Sequence, residues 1–382
     1  MKENDWIDAK TACAVLGVEA QTLYAYVSRH KIRAKADPHD SRHSLYARHE
    51  IEGLLHNMRR PRARADVAEA AIRWGDPILT TSISEARDGT IWLRGRAIRA
   101  CAADMTLEQV SALLCGGQDL NCPMTRANVA GTSSFTRAMK VLAAELEGAS
   151  PMQNCDLHDI VQQAGRMITL VADACLGDGK DGPMHTRIGS VWNVDLHSQD
   201  LIRRSLVLLS DHELNPSTFA VRVYASTGAS LPAALLAGMA TLSGPRHGGV
   251  AGLARSALNA ANEGLLTELL AENAQHAPYA YGFGHPLYPA GDPRAIDLLR
   301  HIPKNSPARR AVDSLSERLS LPPNIDAALA ATSCHFNWPV DAARTLFSIG
   351  RTAGWVAHAI EQVRSGASIR PRAKFQAELT EL

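Results

Sequence analysis

The sequence has no apolar run long enough to cross a bilayer, which takes about 20 consecutive apolar residues. Its start, MKENDWIDAK, lacks the basic and apolar blocks of a secretory signal peptide. The seven cysteines are odd in number and scattered, and no two form C-x-x-C, so neither a disulfide framework nor a zinc site is indicated. We therefore predict a soluble, cytoplasmic protein with no membrane partner and no metal.

Motifs for nucleotide-binding and hydrolytic sites are missing as well. There is no G-x-x-x-x-G-K-[ST], no H-E-x-x-H and no G-x-S-x-G. The stretch YGFGHPLY contains G-x-G, but Leu287 stands where the third glycine of a dinucleotide fingerprint belongs, and no strand pattern precedes it. A P-loop, a zinc protease, an α/β-hydrolase and a dinucleotide fold are all unsupported.

What is present fits a globular chain with an uneven charge. The 382 residues are 46% apolar, enough for two or three domains with a sizeable core. Net charge is only +1, yet residues 1–64 hold 12 Lys and Arg against 8 Asp and Glu, and residues 21–64 hold 10 against 4. A basic N-terminal segment on a neutral protein suggests a nucleic-acid partner.

The N-terminal segment has the pattern of two short helices, the first ended by Gly17 and the second running from about Ala20 to Val27. Basic RHKIRAK follows, and then DSRHSLYARHEIEGLLHNM predicts a wing strand and another helix. This outline resembles the MerR-like or excisionase-like helix-turn-helix domain, which implies DNA as a partner. A basic helical module for protein–protein contact is the alternative. We place this domain at 1–60 and a charged linker at 61–74.

Beyond the linker, the sequence predicts a short β-hairpin followed by a mainly helical body. Apolar and polar residues alternate on either side of Asp88 and Gly89, a two-residue hairpin signal. Thr106 and Gln109 form a capping box before an apolar helix. The later apolar runs keep a helical period, and strand-like runs are missing among them.

Four polar residues lie where the predicted helices break. His212 follows an apolar helix, His247 lies in SGPRHGG, His285 lies in YGFGHPLY, and Asp326 follows PPNI at a helix start. Each one alone is explained by an ordinary loop or a satisfied core histidine. Together they suggest a site, because a neutral imidazole can donate to a developing oxyanion and a sheltered carboxylate can remove a proton next to a carbonyl.

The chain resembles the citrate synthase family over roughly residues 75–382. The resemblance lies in blocks that follow the family's order: DHELNPSTFAVRVYASTGASLPAALLAGMATLSGPRHGG, GFGHPLYPAGDPRA, PPNIDAAL, and LFSIGRTAGWVAHAIEQ with IRPRAKF. It implies a mainly α-helical homodimer whose active sites are shared. It also implies a large domain, at 75–249 and 340–382, and a small domain, at 250–339.

The resemblance gives three of these residues catalytic roles. Asp326 would be the base that removes a methyl proton from acetyl-CoA. His247 would donate to the thioester oxygen as the enol forms. His285 would polarise the keto group of oxaloacetate and protonate the new alkoxide. No permanently bound cofactor is implied, since acetyl-CoA is a co-substrate.

The resemblance also assigns the groups that bind substrate. His212 would hydrogen-bond oxaloacetate, while Arg294 and Arg351 would hold its carboxylates, to which a planar guanidinium is suited. Arg370 would reach into the active site of the neighbouring subunit. The glycines at 244, 248 and 249 would let the backbone approach a ligand.

The sequence departs from the family's usual pattern on the CoA side. Pro286 stands where bacterial members often carry Arg, and Arg246, in place of the usual Leu, is the predicted CoA contact. Ala327 replaces a common Phe and would widen the pocket for propionyl-CoA. The predicted function is therefore a citrate synthase-type acyltransferase. The alternatives are a 2-methylcitrate synthase using propionyl-CoA, or a DNA-binding regulator with a non-catalytic, synthase-like sensor body.

Overall fold

The structure is a computed structural model of one chain, and it divides into two compact units. One unit comprises Met1–Thr80 with Arg372–Leu382, and the other comprises Thr81–Pro371. The predicted linker at 61–74 lies outside the residues that the structure describes. Those residues are 6–28, 31–37, 40, 43–51, 78–118, 120, 122–125, 127, 129–177 and 181–372.

The N-terminal unit combines two helices with a small antiparallel sheet. Its elements are β1 (Trp6–Asp8), α1 (Ala9–Leu16), α2 (Ala20–Ser28), β2 (Ala34–Ala36) and β3 (Ser44–Ala47). The strand order is β1-β3-β2. Asp8 caps α1 by accepting from the Thr11 N–H at 2.8 Å, and Gly17 ends the helix with φ +66°. A small apolar core lies between the helices and the sheet; it is made of Ile7, Ala12, Leu16, Leu23, Ile32, Tyr46 and Ile51.

The second unit begins with the predicted hairpin. Strands β4 (Ser84–Arg87) and β5 (Thr90–Leu93) pair antiparallel, and β6 (Arg96–Ala97) adds a third strand. Asp88 and Gly89 both have positive φ, at 52° and 70°, as a type I′ turn requires. The hairpin prediction is therefore confirmed.

The rest of this unit is helical, as predicted. Thr106 and Gln109 form the predicted capping box. The helices are α3 (Ile98–Asp104), α4 (Leu107–Leu114), α5 (Ser134–Ala144), α6 (Leu157–Leu176), α7 (Met184–Trp192), α8 (Leu196–Leu209), α9 (Pro216–Ala225), α10 (Leu231–Leu242), α11 (Val250–Glu263), α12 (Leu266–Glu272), α13 (Pro293–Leu299), α14 (Pro307–Leu319), α15 (Ile325–His335) and α16 (Ala342–Ser365). None of these described helices is long and apolar enough to cross a membrane.

Helix α16 is the central element of the unit. Nearly all of its residues are buried, and it packs against α4, α6, α8, α9 and α10. A helix that is buried on all sides reads as apolar or small nearly all round, which matches the sequence LFSIGRTAGWVAHAI. Its polar positions, including Arg351 and His358, therefore stand in the interior.

A second group of helices packs mainly within itself. Helix α11 contacts α14 and α15, and α15 also contacts α13 and α14. Asparagine, aspartate or serine side chains cap the N-termini of α13, α14 and α15. These helices lie within residues 250–339, the predicted small domain; the division into a large and a small domain remains a prediction.

Candidate active site

The bend that carries His285 is docked against the segment that leads into α15. The Asn324 N–H donates to Gly282 O at 2.8 Å, and Asn324 Nδ2 donates to Gly284 O at 3.1 Å. Gly282 has φ +85°, and a Cβ there would lie 2.5 Å from the backbone nitrogen of Ala327. Only glycine fits at such a close approach. The bend therefore brings His285 to the start of α15, where Asp326 lies.

Asp326 is buried at the N-terminus of α15, where the residue is only 6% exposed. Its N–H donates to the capping side chain of Asn324 at 2.9 Å. Burial raises the pKa of Asp326 to about 6, although the nearby Arg294 and Arg351 lower it. A carboxylate whose pKa is raised in this way is a stronger base than an exposed one and is still ionised near neutral pH.

Arg294 is held rigidly by the residue that caps its own helix. Arg294 Nε and Nη2 donate to the two oxygens of Asp292 at 3.0 and 2.8 Å. The Ile325 N–H donates to the same carboxylate at 3.0 Å. Burial opposes the charged guanidinium, but Asp292 outweighs it, so the pKa of Arg294 is raised. The Nε–Nη2 edge is thus occupied, and the Nη1–Nη2 edge is left for a ligand carboxylate.

Arg351 enters the same region from α16. Its Nε donates to Leu209 O at 2.7 Å, and its guanidinium lies over the ring of Phe347, 4.9 Å from the centroid. Burial lowers the pKa of Arg351 to about 10, while the carboxylate of Asp211 raises it. Arg351 therefore stays charged at neutral pH, and its two Nη groups make no hydrogen bond within the described part of the chain.

His212 and His285 meet around a tyrosine that the sequence analysis did not single out. Their ring centroids are 5.1 Å apart, and His212 Nε2 lies 2.8 Å from the hydroxyl of Tyr288. The Tyr288 ring is 4.8 Å from that of His285 and lies under Arg294. Burial holds the pKa of His212 well below its usual value, and Arg294 lowers it further. The ring is therefore neutral at physiological pH.

His285 is a neutral imidazole of defined tautomer. Burial and the charge of Arg294 lower its pKa to about 4. The backbone N–H of Leu287 donates to His285 Nδ1 at 3.2 Å. A neutral ring that accepts at Nδ1 carries its proton on Nε2, and His285 can therefore donate from that atom.

His247 is half-buried and bonded to a serine at the start of α9. Burial and Arg351 lower the pKa of His247 to about 4. Its Nε2 lies 2.8 Å from Ser217 Oγ, which donates to Asn215 Oδ1 at 2.7 Å and accepts from Trp355 Nε1 at 3.3 Å. The single hydroxyl proton can turn to either neighbour. When it turns to His247, the imidazole proton is left on Nδ1, free to face a ligand.

The glycines around His247 have a packing reason that the sequence analysis did not foresee. We predicted that they let the backbone approach a ligand. The structure adds that a Cβ at Gly248 would lie 2.5 Å from Leu242 Cδ1, and one at Gly249 would lie 2.8 Å from Gly244 O, while the approach of a ligand stays a prediction. These glycines allow the turn to fold back on the end of α10.

Two further predicted residues lie at the surface. Arg246 is exposed in the turn between α10 and α11. Arg370 is exposed in the segment after α16, directly after Ile369, whose N–H donates to Ser226 Oγ at 3.1 Å. Neither arginine has a hydrogen bond or ion pair to another of the described residues. The structure thus gathers His212, His247, His285, Asp326, Arg294 and Arg351 and leaves Arg246 and Arg370 exposed.

Three residues that shape the site were missed from the sequence. Asp292 fixes Arg294, Tyr288 contacts His212 and His285, and Ser217 contacts His247. Asp292 could have been found, because an Asp before Pro is a usual helix start. The contacts of Tyr288 with His212 and of Ser217 with His247 join residues distant in the sequence and leave no local pattern.

Comparison with known proteins agrees with the geometry. Residues 73–372 match the family described as citrate synthase, C-terminal domain. Citrate synthase 2 of Bacillus subtilis is 34% identical over 200 residues, which cover 46% of this chain and 50% of that protein. 2-Methylcitrate synthase 2 of Corynebacterium glutamicum is 30% identical over 186 residues, covering 46% and 49%. The chain spans about half the length of these curated relatives.

Solved structures share the fold. A citrate synthase from Thermoplasma acidophilum, solved as a ternary complex with carboxymethyl coenzyme A and oxaloacetate, aligns with a TM-score of 0.63. The alignment covers 80% of this chain and 96% of that one, at 20% sequence identity. At this identity the likeness concerns the fold.

Proposed function

Because this chain belongs to the citrate synthase family, we propose that it condenses oxaloacetate with acetyl-CoA to give citrate and CoA. The observation that carries the proposal is a buried carboxyl with a pKa of about 6 in a region that also holds neutral histidines and two buried arginines. A base, hydrogen-bond donors and carboxylate-binding groups are the parts that this reaction needs.

Proton removal would fall to Asp326 and His247. The carboxylate takes a proton from the methyl carbon of acetyl-CoA, and His247, with its proton on Nδ1, donates to the thioester oxygen as the enol forms. With a pKa of about 4, His247 is a neutral imidazole at physiological pH. A neutral imidazole can stabilise the developing oxygen charge by donating a hydrogen bond. That tautomer would form when the Ser217 hydroxyl proton turns from Asn215 to His247 Nε2.

Carbon–carbon bond formation would follow at the keto group of oxaloacetate. The enol carbon attacks the keto carbon, the enol hydroxyl returns its proton to His247 Nδ1, and the keto oxygen takes the proton of His285 Nε2, which water then restores. Hydrolysis of the resulting thioester by water releases citrate and CoA. Arg294, through its Nη1–Nη2 edge, and Arg351, through its Nη groups, would hold the carboxylates while His212 donates to the substrate.

The balance of charge supports a shared site in a homodimer. The buried charges of this region are two arginines and three carboxylates, namely Arg294, Arg351, Asp211, Asp292 and Asp326. A bound dicarboxylate adds two more negative charges and needs further positive charge nearby. Arg370, exposed in its own chain, would supply it to the neighbouring subunit.

The acyl group could also be propionyl, giving 2-methylcitrate. Ala327 follows the proposed base, is fully buried and is smaller than the Phe common at this position in the family. One extra methylene in an apolar pocket changes the rate by a factor of about 10–200, so the preference is measurable. Release of free thiol, measured with oxaloacetate and either acetyl-CoA or propionyl-CoA, decides between them.

The same assay separates an enzyme from a sensor. A non-catalytic body that senses oxaloacetate has no use for a buried base, so Asp326 favours catalysis. Binding of oxaloacetate with no turnover of either acyl-CoA would reject the proposed enzyme and favour a regulator.

For the N-terminal unit we propose a second function, DNA binding. Helices α1 and α2 join at Gly17, and Gln21, Tyr24 and Ser28 lie exposed on one face of α2, where a recognition helix presents its side chains. Lys35 is exposed on the neighbouring strand β2. Both features suit insertion into a groove with phosphate contacts beside it.

Salt dependence tests this proposal. Affinity for duplex DNA should fall steeply between about 50 and 200 mM salt, because phosphate contacts release counterions. Replacing Lys31, Arg33 and Lys35 with Ala should weaken binding to all sequences, and removal of residues 1–64 should leave condensation unchanged. Absence of DNA binding at low salt would contradict the proposal. Arg29, another basic residue of this segment, lies outside the described residues.

A further inference from the structure

A buried contact between a carboxyl group and an imidazole lies next to the proposed oxaloacetate site and has no part in the chemistry described above. His358 Nε2 lies 3.2 Å from Asp211 Oδ1, and both residues are fully buried. The contact lacks the alignment of a regular hydrogen bond, and His358 Nδ1 has no hydrogen-bond partner among the described residues. Burying two such groups costs free energy unless they do something that apolar residues cannot.

The contact between Asp211 and His358 lies where α16 packs against the turn between α8 and α9. Three residues on one face of α16 contact three successive residues of that turn. Arg351 Nε donates to Leu209 O at 2.7 Å, the Gly354 N–H donates to Ser210 O at 2.9 Å, and His358 contacts Asp211. The spacing of three and four residues keeps these positions on a single helix face.

The other carboxyl oxygen of Asp211 ties the turn to the hairpin. Ser84 Oγ donates to Asp211 Oδ2, and the Glu213 N–H donates to the same atom at 3.1 Å. Glu213 in turn accepts from the Ala86 N–H at 3.0 Å. Asp211 is thus fixed from both sides, and His212 is the next residue in the chain.

Space at this contact is fully used. A Cβ at Gly354 would lie 2.5 Å from Asp211 Oδ1, so the helix can approach the turn only because position 354 is glycine. The close approach sets the distance between the turn that carries His212 and the helix that carries Arg351.

We propose that Asp211 and His358 are positioning residues, which hold His212 and Arg351 in register so that the oxaloacetate site is formed before substrate enters. The inference rests on the proposed function, since it takes oxaloacetate as the ligand of both groups. Neither residue of the pair contacts substrate. A preformed site loses less conformational freedom on binding, so loosening the pair weakens binding more than it slows chemistry.

The test compares oxaloacetate affinity by calorimetry in the full-length chain with four changes. His358→Leu keeps the volume but removes the polar contact, and we expect oxaloacetate to bind about 10-fold more weakly, as when an outer-shell partner is removed. His358→Gln keeps a nitrogen donor, and its loss should stay under about threefold. Turnover at saturating oxaloacetate should change by less than about threefold in both.

Two further variants separate positioning from general stability. Thr352→Val removes a buried hydroxyl of the same helix that bonds only to Ser348 O, so it should lower the unfolding temperature without changing oxaloacetate affinity. The double variant Asp211→Asn with His358→Leu leaves no buried charge at the contact. It replaces His358→Leu in the affinity measurement if that single variant does not fold. Its affinity loss should be no larger than that of His358→Leu, because the two residues act as one unit.

The outcomes are distinct. Wild-type affinity in folded His358→Leu, or in the double variant, would reduce the pair to a structural role and overturn the inference, as would equal losses in the Leu and Gln variants. A wild-type chain that binds and turns over oxaloacetate leaves the proposed function standing in either case. A wild-type chain that does not bind oxaloacetate would overturn both.

Discussion

Arg294 and Arg351 are at most 2% exposed and bonded within the chain, whereas Arg246 and Arg370 are exposed and have no partner among the described residues. The interior arginines are oriented before any ligand arrives. The exposed ones have no such hydrogen bonds to orient them among the described residues. Under the proposed function, the oxaloacetate side of the site would be formed by the single chain, and CoA and a second subunit would complete the remaining contacts.

The largest effect should come from the interior, at Asp326. The change Asp326→Asn keeps the size and the cap of α15 but removes the base, so turnover should fall by a factor of about 10²–10⁴. Oxaloacetate affinity should stay within about threefold, since Arg294, Arg351 and His212 are untouched. Steady-state turnover and calorimetry measure both quantities. Wild-type turnover in this variant would remove Asp326 from the mechanism.

The sequence predicted most of the local structure because its signals are local. The hairpin at Asp88 and Gly89 and the cap at Thr106 each depend on a few adjacent residues, and the structure confirms them. It also pointed to His212, His247, His285 and Asp326, since each follows a helix break, although their roles stay predictions.

What escaped the sequence was the tertiary contact that gives each group its chemistry. The tautomer of His285 depends on the backbone of Leu287, and that of His247 depends on Ser217 at the start of another helix. The contact between Asp211 and His358 joins residues far apart in the chain. Periodicity reports which face of a helix is buried, but it does not report which polar atoms meet there.

Mixing two inactive variants tests whether Arg370 completes a neighbouring site. Chains with Arg370→Ala and chains with Asp326→Asn should each be nearly inactive alone. Random pairing makes half of the dimers mixed, and each mixed dimer has one intact site, so the mixture should regain about a quarter of wild-type turnover. If mixed dimers form and no activity returns, the exposed arginine does not act across the dimer.

The pH dependence of turnover tests the buried part of the site, where Asp326 lies. Asp326 must be ionised to act as a base, and its pKa is raised to about 6 by burial. Turnover should therefore rise with pH, from roughly one tenth of its maximum at pH 5 to a plateau above pH 7. His247 and His285 have pKa values of about 4, and burial holds the pKa of His212 well below its usual value, so the three should add no step in this range. A flat profile between pH 5 and 7 would contradict the raised pKa.

The smallest effect should come from the exposed side, at Arg246. An exposed charge contributes little, because water and salt screen it, and its loss costs about 0.2–1 kcal/mol in comparable pairs. Arg246→Ala should therefore raise KM for acyl-CoA about two- to fivefold and leave oxaloacetate affinity unchanged. The increase should shrink at high salt, as expected for a contact with CoA phosphates. Arg318→Ala, which removes an exposed arginine of α14, is the matched control and should change neither constant. An equal change in both variants would show that net charge matters rather than this contact. A loss of oxaloacetate affinity would group Arg246 with the buried arginines that are proposed to bind oxaloacetate.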